Sequence, residues 1–225
     1  MATTIRLDDT VEIPGDIRSL ADFRRWALSD RFPETGRIDY LGGLMEVDMS
    51  PEDLHTHAKV RLRIAASLLQ TAEQEGLGEV YSDGALVTCP AAELSTEPDV
   101  VFISEQSLDS GRVRLVPHSA GQPDRYVEIE GPPDLVVEVV SNRSVTKDTR
   151  DLFSRYFAAG VGEYWLVDAR REELFFRIHH RGNEGFEPAD ADADGYQPSE
   201  VLSRWYRLDR SRNAKGRITF HLLER

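Results

Sequence analysis

Two acidic residues interrupt runs that are otherwise apolar. Glu138 lies inside Asp134-Leu135-Val136-Val137-Glu138-Val139-Val140-Ser141, and Asp99 opens Asp99-Val100-Val101-Phe102-Ile103-Ser104. Side chains alternate along a strand, so Asp134, Val136, Glu138 and Val140 share one face and Leu135, Val137 and Val139 share the other. Burying an unpaired carboxylate on such a face is costly unless a proton, hydrogen bonds or a cation compensates it. A divalent cation is one solution. Two carboxylates, a backbone carbonyl such as that of Val139, and waters make a hard oxygen set that suits Mg²⁺ or Mn²⁺. The structural alternative is that Asp99 caps the turn after Pro98 and Glu138 pairs with a buried arginine.

Other reactive side chains carry weaker signals. His57 follows His55 by two residues early in a helical segment, so the two do not share a face. A structural or substrate-orienting role suits His57 better than metal ligation. Asp190-Ala191-Asp192-Ala193-Asp194-Gly195 resembles the first half of a calcium loop, but Val201 stands at the twelfth position, where a bidentate acid is needed. Asp168 reads as the start of a turn. Ser141 and Ser144 lack the surroundings of a nucleophile elbow.

The elements that must position these residues follow from periodicity. Leu20, Phe23, Trp26 and Ala27 are at helical spacing after Ser19, a plausible N-cap. Residues 37–49 read as a hairpin turning at Gly42-Gly43. Ser50, Pro51 and Asp53 read as N-cap, first and third positions of a second helix. That helix runs to about Glu75, with Leu62, Ala65, Ala66 and Leu69 as its apolar face and Gly76 as its stop. Short strands follow, then a surface loop or hairpin over 107–125. The near-continuous apolar run at 134–141 reads as a central strand covered on both faces. A helix over about Thr146 to Ala159 ends at Gly160, and Glu163–Ala169 pairs antiparallel with Glu173–His180. This order predicts an α+β, mixed α/β, single domain over 1–225, with a lead-in at 1–18 and a basic segment at 202–225.

The 225 residues are 40% hydrophobic, enough for a packed core. Cys89 is the lone cysteine, which excludes an internal disulfide and a thiolate zinc cluster and suits a reducing cytoplasm. Neither a signal peptide nor a membrane span is expected. The net charge of −13 weighs against a broad nucleic-acid footprint. The strongest local basic cluster is Arg204, Arg207, Arg210, Arg212, Lys215 and Arg217.

Several motifs fall in a telling order: Glu97-Pro98-Asp99-Val100-Val101, then Pro133 to Ser141, then Tyr156-Phe157-Ala158-Ala159-Gly160-Val161, then Glu163-Tyr164-Trp165-Leu166-Val167-Asp168. Together with Gly42 or Gly43, Met49-Ser50-Pro51 and His57, this pattern resembles the Uma-two family of restriction-endonuclease-like proteins, from about Tyr40 to Ile178. The resemblance implies a PD-(D/E)XK core, a mixed central sheet flanked by helices, to which the helix, hairpin and helix read above add a helix-hairpin-helix-type extension at the N-terminus. It implies that Asp99 and Glu138 hold Mg²⁺ or Mn²⁺ and that DNA phosphodiesters are the substrate. Val140 stands where the motif has its lysine, and Leu152 stands where the family places a lysine instead, four residues before the tyrosine. Lys147 is the nearest replacement, and such a lysine would offset charge on a phosphate. Glu46 on the hairpin is a candidate extra acid, as in some members of the superfamily. By the same analogy the chain is a homodimer. If Lys147 does not serve, a nuclease fold acting as a nucleic-acid or protein-binding module is the alternative.

Overall fold

The computed structural model of the chain describes residues 4–6 (backbone), 12–33, 35–118 and 123–225. Its centre is a six-stranded sheet with spatial order Phe186–Pro188, Phe175–Arg181, Glu163–Asp168, Leu135–Val139, Val100–Ser104 and Gly78–Ser82. Leu135–Val139 runs parallel to Glu163–Asp168, and the other neighbours are antiparallel. A second mixed sheet has the order Leu44–Asp48, Arg37–Leu41, Leu94–Thr96, Val87–Cys89, Tyr126–Glu130 and Arg114–Pro117. The hairpin at Gly42-Gly43 therefore belongs to this sheet, through the pairing of Tyr40 with Ser95 and Leu41 with Leu94. Both turn glycines have positive φ, 59° and 94°, as a tight two-residue turn requires.

The alternation expected of residues 134–140 organises the interior. Leu135, Val137 and Val139 pack with Val100, Phe102, Trp165 and Tyr206 in one core. Val136 and Val140 pack with Val101, Ile103, Leu152, Tyr156 and Tyr164 in another. Helices α1 (Leu20–Ala27), α2 (Lys59–Glu75), α3 (Glu105–Asp109) and α4 (Leu152–Ala159) complete the layers. The first core is closed by α2 and by the C-terminal hairpin Arg204–Arg212 and Ile218–Glu224. α4 closes the second, and α1 lies over a third, aromatic core of Phe23, Trp26 and Tyr40.

The N-terminal boundary of α1 is as expected, since the Ser19 hydroxyl accepts from the Asp22 amide at 3.2 Å. The second helix differs in two ways. Its N-cap is Asp53, whose carboxylate accepts from the His55 and Thr56 amides at 2.9 and 2.6 Å. Ser50 instead bonds Asp48 through its amide, leaving Pro51 and Glu52 outside the helix. The buried stripe is Val60, Ile64, Leu68 and Ala72, while Leu62 is 67% exposed and Leu69 40% exposed. Two apolar stripes run along this helix, and only the tertiary fit selects between them. Part of the 1–18 lead-in lies outside the described residues; within it, Thr4–Arg6 pairs antiparallel with Glu12–Pro14.

Candidate active site

In the antiparallel pair at the sheet centre, Val100 faces Val137 and Val101 faces Val136. The pairing ends at Val100 and Val137, with Asp99 in the bend just before its strand and Glu138 the next residue of its own, close enough for the Asp99 charge to act on Glu138. Both are 1% exposed. The Val139 amide donates to Asp99 Oδ2 at 2.7 Å, and Arg37 Nη2 donates to Oδ1 at 3.0 Å. His57 Nε2 lies 3.4 Å from Oδ2. Glu138 Oε1 accepts from the Tyr156 hydroxyl of α4 at 2.9 Å.

A second buried pair stands beside this one. Lys147 Nζ donates to Asp39 Oδ2 at 2.8 Å, and the Glu97 amide donates to Asp39 Oδ1 at 3.2 Å. Asp148, next in sequence to Lys147, accepts from the Ser144 hydroxyl, while its Oδ1 is buried without a hydrogen-bond partner. The Tyr164 hydroxyl donates to the Asp148 carbonyl at 2.8 Å.

Local helix geometry delivers two of these side chains. Leu54–Ala58, which carries His57, and Lys147–Asp151 are both π-helical turns, each followed directly by an α-helix. At the second turn the Leu152 amide bonds the Lys147 carbonyl five residues back. Such wide turns are costly and concentrate at functional sites. Arg37, His57 and Lys147 line a cleft of about 440 Å³ that Asp48, Glu52, Glu97, Arg143 and Arg170 also face.

The electrostatics separate the two central acids. Burial alone would raise the Asp99 carboxyl, but the His57 hydrogen bond, the Arg37 and His57 charges and the Val139 amide together hold it well below the usual range. Burial pushes Glu138 well above its ordinary value, and the charges of Asp99 and Asp148 push it further. Burial also raises Asp148 and Glu97, each to about 7. Lys147 is raised despite burial, because Asp39 stabilises its ammonium. His57 is likewise raised despite burial, through Asp99. The four carboxyls of Asp39, Asp99, Glu138 and Asp148 thus outnumber the three permanent cations around them, Arg37, Lys147 and Arg61, the last 3.7 Å from Asp99 Oδ1.

That surplus of hard oxygen donors, with one buried carboxylate oxygen unpartnered, fits a divalent cation. Among the described residues no three His, Cys, Asp or Glu side chains converge as a ready cage. The fit is therefore to an ion such as Mg²⁺, which takes one or two carboxylates and keeps several waters.

The fold gathers Asp99, Glu138, Val139, Lys147 and His57 into one region. Glu46 sits half-buried across the hairpin from Asp39 and does not line the cleft. Val140 and Leu152, the two positions where the resemblance places a lysine, are both buried in the second core. Sequence reasoning missed Arg37, Asp39, Asp148 and the role of Tyr156. Asp39 did carry a signal, since it interrupts the Ile38-Tyr40 strand as Glu138 interrupts its own. An arginine does serve a buried acid, but the pair is Arg37 with Asp99 rather than with Glu138. The C-terminal basic cluster is largely engaged within the chain. Arg204 pairs with Glu75, Arg207 with Asp209, and Arg210 and Arg212 donate to backbone carbonyls. No described helix is long and apolar enough to cross a membrane.

The model of the Uma2 family, described as "Putative restriction endonuclease", matches residues 20–210. No curated protein matches the chain. Among solved structures, the chain is similar to the crystal structure of a putative nuclease from Anabaena variabilis. The TM-score is 0.61 at 17% identity, over 83% of this chain and 92% of that one. At that identity the likeness establishes a shared fold.

Proposed function

The chain belongs to the Uma2 family, and from that premise we propose that it is a metal-dependent endonuclease hydrolysing DNA phosphodiester bonds. The observation that carries this reading is the buried, acid-rich cluster of Asp99 and Glu138, the residues that directly follow the last pair of the central strands, Val100 with Val137, behind a polar cleft. Asp99, Glu138 and the Val139 carbonyl would hold Mg²⁺ or Mn²⁺. When bound, such a cation lowers the pKa of its water and offsets charge on a phosphate. Arg37 and His57 fix the orientation of Asp99, and Tyr156 fixes that of Glu138. Lys147, on the cleft wall, offers its ammonium to the phosphate. The working unit is one domain spanning 1–225, paired as a homodimer so that both DNA strands are reached, and acting in the cytoplasm.

The test is cleavage of plasmid DNA by purified protein with Mg²⁺ or Mn²⁺. Cutting by wild type that disappears in Asp99→Ala and Glu138→Gln supports the assignment. An inert wild type, or equal cutting by Asp99→Ala, sinks it.

One observation favours a second reading, a nuclease fold used for binding. Asp99 and Glu138 do not line the cleft themselves; Arg37, His57 and Lys147 stand at its surface. That reading predicts metal-independent DNA or protein binding that survives Glu138→Gln.

A further inference from the structure

The Lys147–Asp39 pair is buried, and each partner comes from a different part of the chain. Asp39 lies on the Arg37–Leu41 strand, with Ile38 and Tyr40 on the opposite face in the aromatic core. One of its oxygens accepts from the Lys147 ammonium, and the other accepts from the amide of Glu97, two residues before Asp99. Asp39 therefore ties the hairpin, the entry to the Asp99 strand and the π-helical turn to one point. Stability alone gives little reason for such a pair, because apolar replacements of similar volume are often at least as stable. Lys147 is also the lysine of this region, since Val140 and Leu152 put no cation into it.

We infer that Asp39 is a positioning residue: it fixes the Lys147 ammonium at the cleft wall, so that the N-terminal hairpin supplies a working part of the catalytic centre. The role given to Lys147 rests on the nuclease reading; the hold of Asp39 on Lys147 can be measured without it.

Lys59, Lys147 and Lys215 are the lysines of the chain, so acylation by acetic anhydride can be followed at each by mass spectrometry. In wild type, Lys147 is kept charged by Asp39 and reacts slowly at pH 8. In Asp39→Asn its acylation accelerates several-fold while Lys59 and Lys215 keep their rates. Unchanged labelling of Lys147 in a folded Asp39→Asn protein overturns the inference.

Plasmid cleavage supplies the second arm. Asp39→Asn loses up to about 100-fold, the scale of a reacting-site group displaced by about 1 Å. Lys147→Gln loses at least as much, and the double variant is no worse than Lys147→Gln. Losses that multiply in the double variant, or wild-type cleavage by Asp39→Asn, overturn the positioning role. If Asp39→Asn does not fold, Asp39→Glu replaces it: the carboxylate persists but is displaced, so labelling stays slow while cleavage falls. Wild-type cleavage by Asp39→Glu also overturns the role. A wild type that cuts no DNA ends the nuclease reading, and the labelling arm then decides the Asp39 hold by itself.

Discussion

The two faces of the central sheet are built on the same strands and obey different physics. On one, Leu135, Val137 and Val139 meet Val60, Ile64, Leu68 and Trp165, and apolar contact accounts for the layer. On the other, the same alternation ends in Asp99 and Glu138, with Asp39, Asp148, Arg37 and Lys147 packed around them. The first face stabilises the sheet through area removed from water. The second holds groups whose burial opposes folding unless each is hydrogen-bonded or paired. A sheet can carry such a cluster because its opposite face, and the apolar core of Val136, Val140, Leu152 and Tyr156 beside the acids, supply the stability.

That contrast can be broken by substitution. The largest effect belongs to the charged face, where Glu138→Gln lowers plasmid cleavage by about 100-fold or more, the scale of losing one preorganised polar group. Thermal unfolding moves little, because glutamine mimics the protonated acid that burial already favours. The apolar face gives the converse. Leu135→Ala costs about 2–5 kcal/mol of stability by chemical denaturation, and the folded fraction cleaves at its former rate.

A pH series sharpens the comparison further. Burial raises Asp148 from 3.8 to about 7, so the folded chain keeps a proton that the unfolded chain releases. This contribution to stability is complete below the unfolded value and is lost as pH rises through the folded one. Glu97, also raised to about 7, acts in the same direction. Calorimetry without metal should show a Tm lower at pH 8 than at pH 5, and Asp148→Asn should flatten the difference. The smallest effect lies far from both faces. Arg204→Ala removes a partly exposed pair with Glu75 and changes stability by about 1 kcal/mol or less, with DNA affinity by filter binding unchanged.

The sheet was readable in the sequence because period-two alternation leaves a strong mark. Leu135, Val137 and Val139 sort into one core and Val136 and Val140 into the other, as alternation requires. Glu138 stood out because it breaks that mark. Helix α2 was harder, since Leu62 and Leu69 make as good a stripe as Ile64 and Leu68, and solvent took the first. The partners of the acids were harder still. Arg37 lies 62 positions from Asp99 and Asp39 lies 108 from Lys147, and no local pattern links residues so far apart. Asp39 alone was available by the logic that found Glu138. The caps show a finer limit, because Ser50 and Asp53 both suit an N-cap and only the wide turn at Leu54 decides for Asp53.

The π-helical turn at Lys147–Asp151 makes this helix a phase device. Each residue advances an α-helix by about 100°, so letting the same residues rewind as ordinary α-helix, with none removed, would put one residue too many between Lys147 and Leu152. Everything upstream of the turn would then rotate by about that angle relative to Leu152 and Tyr156, which stay anchored in their core. Lys147 would swing away from Asp39 with the composition of the site almost unchanged. Angular position on the helix, as much as residue identity, decides whether this scaffold presents a cation to its cleft.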